Sequence, residues 1–236
     1  MENSALELGE KPIGALLAKY ALPSIFAMVA SSLYNMVDSI FIGQGVGALA
    51  ISGLAITFPL MNLSAAFGAM VGVGGSTVLS VKLGQHDYKT AQLVLGNVTT
   101  LNIVLGIVFG TLCLLFLDPI LLFFGASEAT LPFAREYMIW ILLGNVFTHM
   151  YFGLNAVLRS AGHPRRAMAC TILTVLLNTV LDPIFIYVFG MGIAGAAIAT
   201  VLAQVVSLVW QFRLLGNPKE LLHFRRGIYS LRPRLV

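Results

Sequence analysis

The segment NTVLDPIFIYVFG, residues 178–190, places one carboxylate, Asp182, in the most apolar part of the chain. The 46 residues between Arg166 and Arg213 contain no other charged side chain. An aspartate at the centre of a membrane-spanning helix costs about 2.5–3.5 kcal/mol on insertion scales, so a function is the default explanation for one that is kept. Asp182 therefore raises two questions: how many helices surround it, and what its carboxylate binds.

Composition identifies the surroundings as a lipid bilayer. The chain has 236 residues, of which 58% are hydrophobic and 10% are charged, whereas charged residues make up about 25% of soluble domains. A bilayer core needs about 20 apolar residues per helix. The charge-free runs are 20–37, 39–81, 90–117, 137–158, 167–181 and 183–212.

Two glycine-rich segments divide the longer apolar regions. The run 39–81 is too long for one crossing, and GQGVGALAISG (43–53) supplies a break, as GMGIAG (190–195) does near the end of the chain. The pattern predicts an all-α membrane protein, a bundle of six transmembrane helices over residues 1–215, followed by a basic cytoplasmic linker or tail at 216–236. The helices are expected near 16–42, 50–81, 91–117, 133–159, 167–189 and 194–214.

The basic residues set the expected orientation. With six spans, one side collects thirteen of the 14 Lys and Arg residues and the other side only Arg135. Because cytoplasmic loops are enriched in Lys and Arg, both termini are expected in the cytoplasm and the loop 118–132 outside. Since the sequence has no transit-peptide composition, a bacterial plasma (inner) membrane is the expected location. The basic residues of the tail fit a solvated linker that obeys this rule better than a site for anionic lipid or nucleic acid, so no nucleic-acid partner is expected. The thirteen are Lys11, Lys19, Lys82, Lys89, Arg159, Arg165, Arg166, Arg213, Lys219, Arg225, Arg226, Arg232 and Arg234.

Polar residues recur at helical spacing in three of the predicted spans. Residues three, four or seven apart share one face of a helix, so each span presents a polar stripe to the bundle interior. Such stripes predict a water-accessible cavity, although single hydroxyls and amides also join helices to one another in membranes. The stripes are Ser24, Ser31, Asn35 and Asp38 in the first span, Thr171, Thr174, Asn178 and Asp182 in the fifth, and Thr200, Gln204, Ser207 and Gln211 in the sixth.

Two carboxylates and two neutral groups from these stripes form a predicted ion site. With a rise of about 1.5 Å per residue, Asp38 is expected roughly 6 Å below the outer end of its helix, and Asp182 and Thr200 roughly 10 Å below theirs. Asn178 stands one turn from Asp182, and Pro183 deprives a nearby carbonyl of its helical partner. Two carboxylates in a low-dielectric site resist ionising together unless a proton or cation is shared between them.

Other features are assigned to structure. Ser64, Gly68, Gly72 and Ser76, and Gly106 with Gly110, are spaced by four and predict close helix packing. His149 fits a packing residue better than a proton relay. Pro23 and Pro59 predict bends. Cys113 and Cys170 lie on no metal-like spacing, and no nucleophile–base or metal motif is present, so neither an enzyme nor a bound cofactor is expected. The ion held by the carboxylate pair would be a proton or a hard monovalent cation. All these residues are read directly from the sequence.

Four motifs carry a resemblance to a known family. YNMVDSIFIGQGVGALAISG, KLGQHDYKTA, LNAVLRSAGHPRRAM and LLNTVLDPIFIYVFGMGIAGAAIAT, in this order, resemble the first half of a multidrug and toxic compound extrusion (MATE) transporter, and are most similar to the bacterial branch around DNA-damage-inducible protein F. The resemblance covers essentially the whole chain. It implies the N-terminal lobe of a twelve-helix antiporter, made of two six-helix lobes, that exports organic cations or other amphipathic drugs in exchange for sodium ions or protons.

The resemblance also assigns roles to residues. The family's cation-binding positions match Asp38, Asn178, Asp182 and Thr200, and Asn155 matches a further polar position, although its depth places it nearer the cytoplasm. Pro23 matches the position at which the first helix bends during the transport cycle. The expected partners are membrane lipid, a small-molecule drug, and either a missing C-terminal six-helix lobe or a second copy of the chain.

Three alternatives remain beside this interpretation. The first is that the chain is a truncated, non-transporting membrane fragment, and the second is that it is a half-transporter that needs a partner. The third is that it is an exporter of lipid-linked saccharides with a related fold. The saccharide exporter ought to have a more basic interior and is disfavoured, because no Lys or Arg is expected within a span.

Overall fold

The structure, a computed structural model, describes residues 12–217 and 222–224. Within these residues every regular element is a helix, so the predicted all-α membrane fold is confirmed. Most of the predicted tail, 216–236, lies outside the described residues. The helices are α1 (Ile13–Gly45), α2 (Ala48–Gly84), α3 (Tyr88–Leu115), α4 (Leu117–Phe123), α5 (Leu131–Leu143), α6 (Asn145–Ser160), α7 (Pro164–Pro183), a π-helical segment (Ile184–Val188) and α8 (Gly192–Leu215).

Five helices are long and apolar enough to cross a membrane by themselves, and a sixth crossing is made of two parts. The helix predicted near 133–159 is α5 and α6, joined at Gly144 with a bend of 59°. A Cβ at Gly144 would lie 2.6 Å from Val201 Cγ1 on α8, so the glycine lets α8 pack directly against the bend. The prediction of one continuous helix was wrong at this point.

The turns between spans depend on glycines in the left-handed region, which is accessible to glycine at little cost. Gly47, between α1 and α2, has φ 116°, and Gly190 and Gly192, before α8, have φ 63° and 56°. Both turns lie at the same end of the bundle, which we call the α1–α2 end. The opposite end, where α2 passes into α3, is called the α2–α3 end.

The loop predicted at 118–132 contains a helix that the sequence analysis missed. Helix α4 occupies Leu117–Phe123 and buries Leu117 and Leu121. At the start of α4, Asp118 Oδ1 forms an ion pair with Arg135 Nε at a distance of 2.9 Å. Arg135 is the single basic residue expected on the outer side, and this ion pair neutralises it.

The small-residue stripes bring helix backbones into contact. A Cβ added at Gly68 would lie 2.9 Å from His149 Cα, and one added at Gly72 would lie 2.7 Å from Gly153 Cα. At Gly106 the added atom would lie 2.9 Å from Val146 Cα. The predicted role of these glycines in close packing is confirmed, and it fixes α6 between α2 and α3.

Two apolar cores leave a polar layer between them. One core, at the α1–α2 end, includes Ile42, Leu54 and Tyr137; the other, at the α2–α3 end, includes Leu79 and Leu158. Between the two cores, the polar stripes of α1, α7 and α8 face one another.

Candidate functional site

Three helices bring the four predicted ion-site residues into one buried cluster. Asp38 on α1, Asn178 and Asp182 on α7, and Thr200 on α8 are between 0% and 6% exposed. Asn178 Nδ2 donates to Asp182 Oδ1 at 3.0 Å and to Thr200 Oγ1 at 3.1 Å. The Asp38 and Asp182 side chains lie close enough for a hydrogen bond when one of them carries a proton.

The depths of these residues agree more closely than the sequence suggested. Asp38 lies seven residues before the end of α1 at Gly45, because α1 is longer than expected. Asp182 lies six residues before Val188, and Thr200 eight residues after the start of α8. At about 1.5 Å per residue, all three are about 9–12 Å from the α1–α2 end.

Several oxygens of the cluster accept no hydrogen bond from the part of the chain that the structure describes. Asp38 Oδ1, Asn178 Oδ1 and Asp182 Oδ2 are buried and have no hydrogen-bond partner among the described residues. Buried oxygen atoms are normally hydrogen-bonded or bound to a cation. Two carboxylates, an amide carbonyl and a hydroxyl are also the oxygen ligands that hard cations prefer. The residues therefore fit either a shared proton or a hard monovalent cation.

Two tyrosines complete the cluster, and the sequence analysis missed both. The Tyr34 hydroxyl lies 3.0 Å from Thr200 Oγ1. Tyr137 on α5 is 1% exposed, and its hydroxyl is close to Thr200 and near both carboxylates. Tyr34 falls on the stripe of α1, one turn before Asp38, and this spacing was the available signal.

The polar stripes line a cavity of about 530 Å³ that adjoins the cluster. Three of the four stripe residues on α1 and three on α7 are in its wall, together with Thr200 and Gln204 on α8. Ser207 does not reach the cavity but donates to the Cys170 carbonyl at 2.6 Å, which joins α8 to α7. The predicted cavity is present, and three members of the ion cluster, Tyr34, Asn178 and Thr200, also line it.

Asn155 lies in the cavity wall but apart from the ion cluster. Its amide Nδ2 donates to the Ala167 carbonyl at 3.1 Å and to Thr171 Oγ1 at 3.4 Å. Thr171 precedes Asn178 by seven residues on α7, which corresponds to about 10 Å. The structure therefore does not bring Asn155 together with the other predicted ligands, because its amide is held at the α2–α3 end.

The expectation that no Lys or Arg lies within a span was also wrong. Arg159 is in the last turn of α6 and lines the same cavity. The charge count placed it on the cytoplasmic side, at the end of the helix predicted near 133–159, and did not predict that its side chain lines the cavity.

The structure gives the positions of Pro23 and His149, and their predicted roles stay predictions. Helix α1 continues through Pro23, which is buried, has no N–H to donate within the helix, and lies one residue before the cavity-lining Ser24. His149 is fully buried, with Nε2 at 3.2 Å from Ser64 Oγ, and Ser64 also bonds Asn145. The hydrogen bond to Ser64 is consistent with a role of His149 in helix packing. The other ring nitrogen, His149 Nδ1, has no hydrogen-bond partner among the described residues.

A bundle of apolar helices around a buried carboxylate pair and a polar cavity defines the class: a multi-pass membrane protein of the transporter type. The family model described as MatE matches residues 23–184. The chain therefore belongs to the MatE family, as the sequence motifs predicted.

Curated relatives and solved structures agree with this assignment. The chain is 28% identical over 215 residues to the multidrug export protein MepA of Staphylococcus haemolyticus, covering 91% of this chain and 48% of that protein. It is 29% identical over 201 residues to the FAD transporter of Shewanella oneidensis, covering 84% and 44%. A crystal structure of MATE in the bent conformation matches with a TM-score of 0.90 and 28% identity, over 98% of this chain and 52% of the other.

A MOP superfamily transporter from Pyrococcus furiosus, described as having a binding pocket of reversed polarity, also has a TM-score of 0.90, with 27% identity over 100% of this chain and 52% of the other. The chain thus spans about half the length of the relatives and structures that it matches. These matches confirm the predicted correspondence to a six-helix lobe of a MATE transporter. The assignment to the branch around DNA-damage-inducible protein F stays a prediction.

Proposed function

We propose that this chain is the N-terminal lobe of a cation-coupled antiporter that exports drugs or other amphipathic organic compounds across the plasma membrane. The coupling ion, sodium or a proton, is held by Asp38, Asn178, Asp182 and Thr200. The single observation that carries the proposal is the group of three buried oxygens, on Asp38, Asn178 and Asp182, that no donor of the described residues satisfies.

The ion site and the cavity share part of their walls, which supports coupling between them. Asn178 and Thr200 face the cavity and also hydrogen-bond each other within the ion cluster. A cation bound to the Asn178 carbonyl oxygen fixes the orientation of this amide. The hydrogen bonds from Asn178 Nδ2 to Asp182 and Thr200 therefore depend on whether the cation is bound. The shape of the cavity wall then depends on whether the ion is present, and a ligand that prefers one shape competes with or favours the ion.

The cavity suits an amphipathic organic molecule. Its volume of about 530 Å³ lies within the range of about 300–1,000 Å³ typical of small-molecule sites. Apolar side chains such as Met28, Phe58 and Phe152 line it beside the polar stripes. Relatives named for multidrug export and for FAD transport support a substrate of this kind.

The complete transporter is proposed to need a second lobe, because the relatives are about twice as long as this chain. That lobe is either a C-terminal six-helix unit or a second copy. The proposed location is a bacterial inner membrane, supported by the bacterial relatives. The proposed orientation, with both termini in the cytoplasm, is supported by the distribution of Lys and Arg. A chain without such a partner would be the non-transporting fragment named among the alternatives.

Ion binding by the purified chain tests the proposal. Isothermal titration with sodium chloride, against choline chloride as the control salt, should show one saturable sodium site. Where the ion is a proton, Asp182→Asn should take up one proton fewer per chain than the wild type on titration from alkaline solution to about pH 6, above the range of ordinary carboxylates. Glu128→Gln supplies the matched control, since it also converts a carboxylate to an amide but at an exposed position. Binding of neither ion, or binding that Asp182→Asn and Glu128→Gln affect equally, contradicts the proposed function.

A further inference from the structure

The cavity wall carries a charge of the opposite sign to the ion site. Among the described residues that line the cavity, Arg159 is the one charged side chain, and no Asp or Glu lies in the wall. Asp38 and Asp182 are buried behind the wall, where the ion would neutralise them. A ligand in the cavity therefore meets one exposed charge, and that charge is positive.

Arg159 forms no ion pair within the described part of the chain. The ion pair found there is between Asp118 on α4 and Arg135 on α5. The titratable neighbour of Arg159 is the hydroxyl of Tyr151, which lies beside Thr171 and Thr174 in the same wall. A half-buried guanidinium keeps most of its hydrogen-bonding capacity for a ligand, and its planar fork matches a carboxylate or a phosphate.

The position of Arg159 also fits a ligand with a polar end and an apolar body. Arg159, Tyr151 and Asn155 line the wall toward the α2–α3 end, where Asn155 donates to Thr171, a residue about 10 Å from Asn178 as measured along α7. Phe58, Met61 and Phe152 lie in the same wall. An aromatic or aliphatic body can contact these side chains while an anionic group reaches the guanidinium.

We infer that Arg159, with the hydroxyl of Tyr151, forms an anion subsite at the α2–α3 end of the cavity, and that the favoured ligands are amphipaths carrying a carboxylate or phosphate group. This inference rests on the proposed function, because it takes the cavity to be the substrate site. It narrows the substrate class from amphipathic compounds in general to those with an anionic group, as opposed to purely cationic drugs.

A matched pair of dyes tests the subsite on the full chain in a maltoside detergent. The probes are a xanthene dye with a free carboxylate and the methyl ester of the same dye, and fluorescence anisotropy measures the dissociation constants. The wild type should bind the carboxylate form about tenfold more tightly than the ester, as expected for one charge-assisted hydrogen bond to the guanidinium. Arg159→Gln should remove this preference and leave binding of the ester unchanged, which also shows that the variant is folded.

Two further variants separate charge from fold. Arg159→Lys should keep part of the preference, because the charge remains but the fork is lost. Arg213→Gln is the matched control, since Arg213 also lies in the last turn of a helix but is exposed and outside the cavity wall. It should leave both dissociation constants unchanged.

Competition identifies the source of the anionic group. Displacement of the carboxylate dye by phosphatidylglycerol, and not by phosphatidylcholine, supports the subsite with a lipid headgroup as its ligand. Displacement by soluble benzoate supports the subsite with a solute as its ligand. Equal binding of both dyes to the wild type, or equal weakening of both by Arg159→Gln, overturns the subsite while leaving the proposed function intact. Binding of neither dye overturns the cavity as a substrate site and the subsite with it.

Discussion

Removing the two buried carboxylates one at a time and together tests whether they form one ion site. Asp38→Asn and Asp182→Asn each replace a charged ligand by a neutral one of the same shape. A charge pair about 4 Å apart interacts by about 4 kcal/mol at an effective permittivity of about 20. Binding of the ion to the wild type must also displace a proton shared between the carboxylates, which offsets part of this energy. We expect each single variant to lose about 3 kcal/mol, or about a hundredfold in ion affinity.

The double variant should lose little more than the worse single variant. Asp38 and Asp182 are within hydrogen-bonding reach of each other, and effects within such a unit are not additive. Once one carboxylate is gone, the ion is already bound weakly, so the second substitution should add less than about tenfold. Asn178→Ala and Thr200→Ala should cause milder losses, because water can replace a neutral oxygen.

Sodium-dependent thermal unfolding of the purified chain measures these effects. At a sodium concentration about 100 times the wild-type dissociation constant, binding stabilises the folded chain by about 2.7 kcal/mol. A hundredfold weaker site leaves about 0.4 kcal/mol at the same concentration, so the shift of the melting temperature should nearly vanish. Where the ion is a proton, potentiometric titration counts the protons taken up by each variant instead.

Two results would refute the reasoning. If either single variant binds the ion as tightly as the wild type, that aspartate is a structural polar contact and not a ligand. If the losses of the two single variants add fully in the double variant, the carboxylates act as separate acids. Glu128→Gln, exposed and far from the cluster in sequence, should match the wild type and shows that loss of a carboxylate alone has no effect.

The remaining predictions concern movement, topology and packing. In a two-lobe transporter containing this chain, Pro23→Ala should reduce dye export in cells at nearly unchanged expression, and unchanged export would make Pro23 a static bend. Cysteines introduced at Gln85 and Ala126 should react with an impermeant maleimide from opposite sides of the membrane; labelling from one side contradicts the topology, and both native cysteines are buried. Gly72→Ala should destabilise the chain by about 1–3 kcal/mol through overpacking, whereas Gly74→Ala, with nothing within 4 Å of the added atom, should be neutral or slightly stabilising by calorimetry.

The positions of the acidic residues made the ion cluster predictable. A carboxylate is rare and costly inside a span, so Asp38 and Asp182 stand out without any structural information. Helical spacing then adds Asn178 and Thr200 as residues on the same faces. The predicted depth of Asp38 was too small because the end of α1 extends to Gly45, and charge runs do not locate the last turn of a helix.

The tyrosines were harder to predict because their residue type is ambiguous in a membrane protein. Tyrosine is common at the membrane interface, and elsewhere it packs in apolar cores or donates hydrogen bonds. Its occurrence in the sequence therefore does not identify which of these roles it has. Tyr137 follows Arg135 and Glu136 directly, so its sequence context suggests an interfacial position. Only the bend at Gly144 and the packing of α5 against α8 turn its hydroxyl toward Thr200.

Arg159 shows a limit of counting charges by loop. The positive-inside rule sorts basic residues by side of the membrane and does not distinguish a side chain in solvent from one that turns into the bundle. Arg159 satisfies the rule, since it lies at the end of the bundle expected in the cytoplasm, and it also lines the cavity. The expected absence of Lys and Arg from the spans was the argument against an exporter of lipid-linked saccharides, and Arg159 removes that argument.

The arrangement of charges has a consequence for the direction of coupling in the proposed cycle. The two carboxylates of the ion site are negative before the ion binds and are buried behind the cavity wall, while the guanidinium of Arg159, on α6, lines the cavity toward the α2–α3 end. An anionic substrate at Arg159 is repelled by the two empty carboxylates, and this repulsion is relieved when a cation is bound. Exchange of ion for substrate therefore cannot rest on their direct electrostatic competition in this lobe. In the proposed cycle it comes from the shared wall: Asn178 and Thr200 adopt one arrangement around the ion and another around the ligand, and the proposed second lobe turns that local change into opening on the opposite side of the membrane.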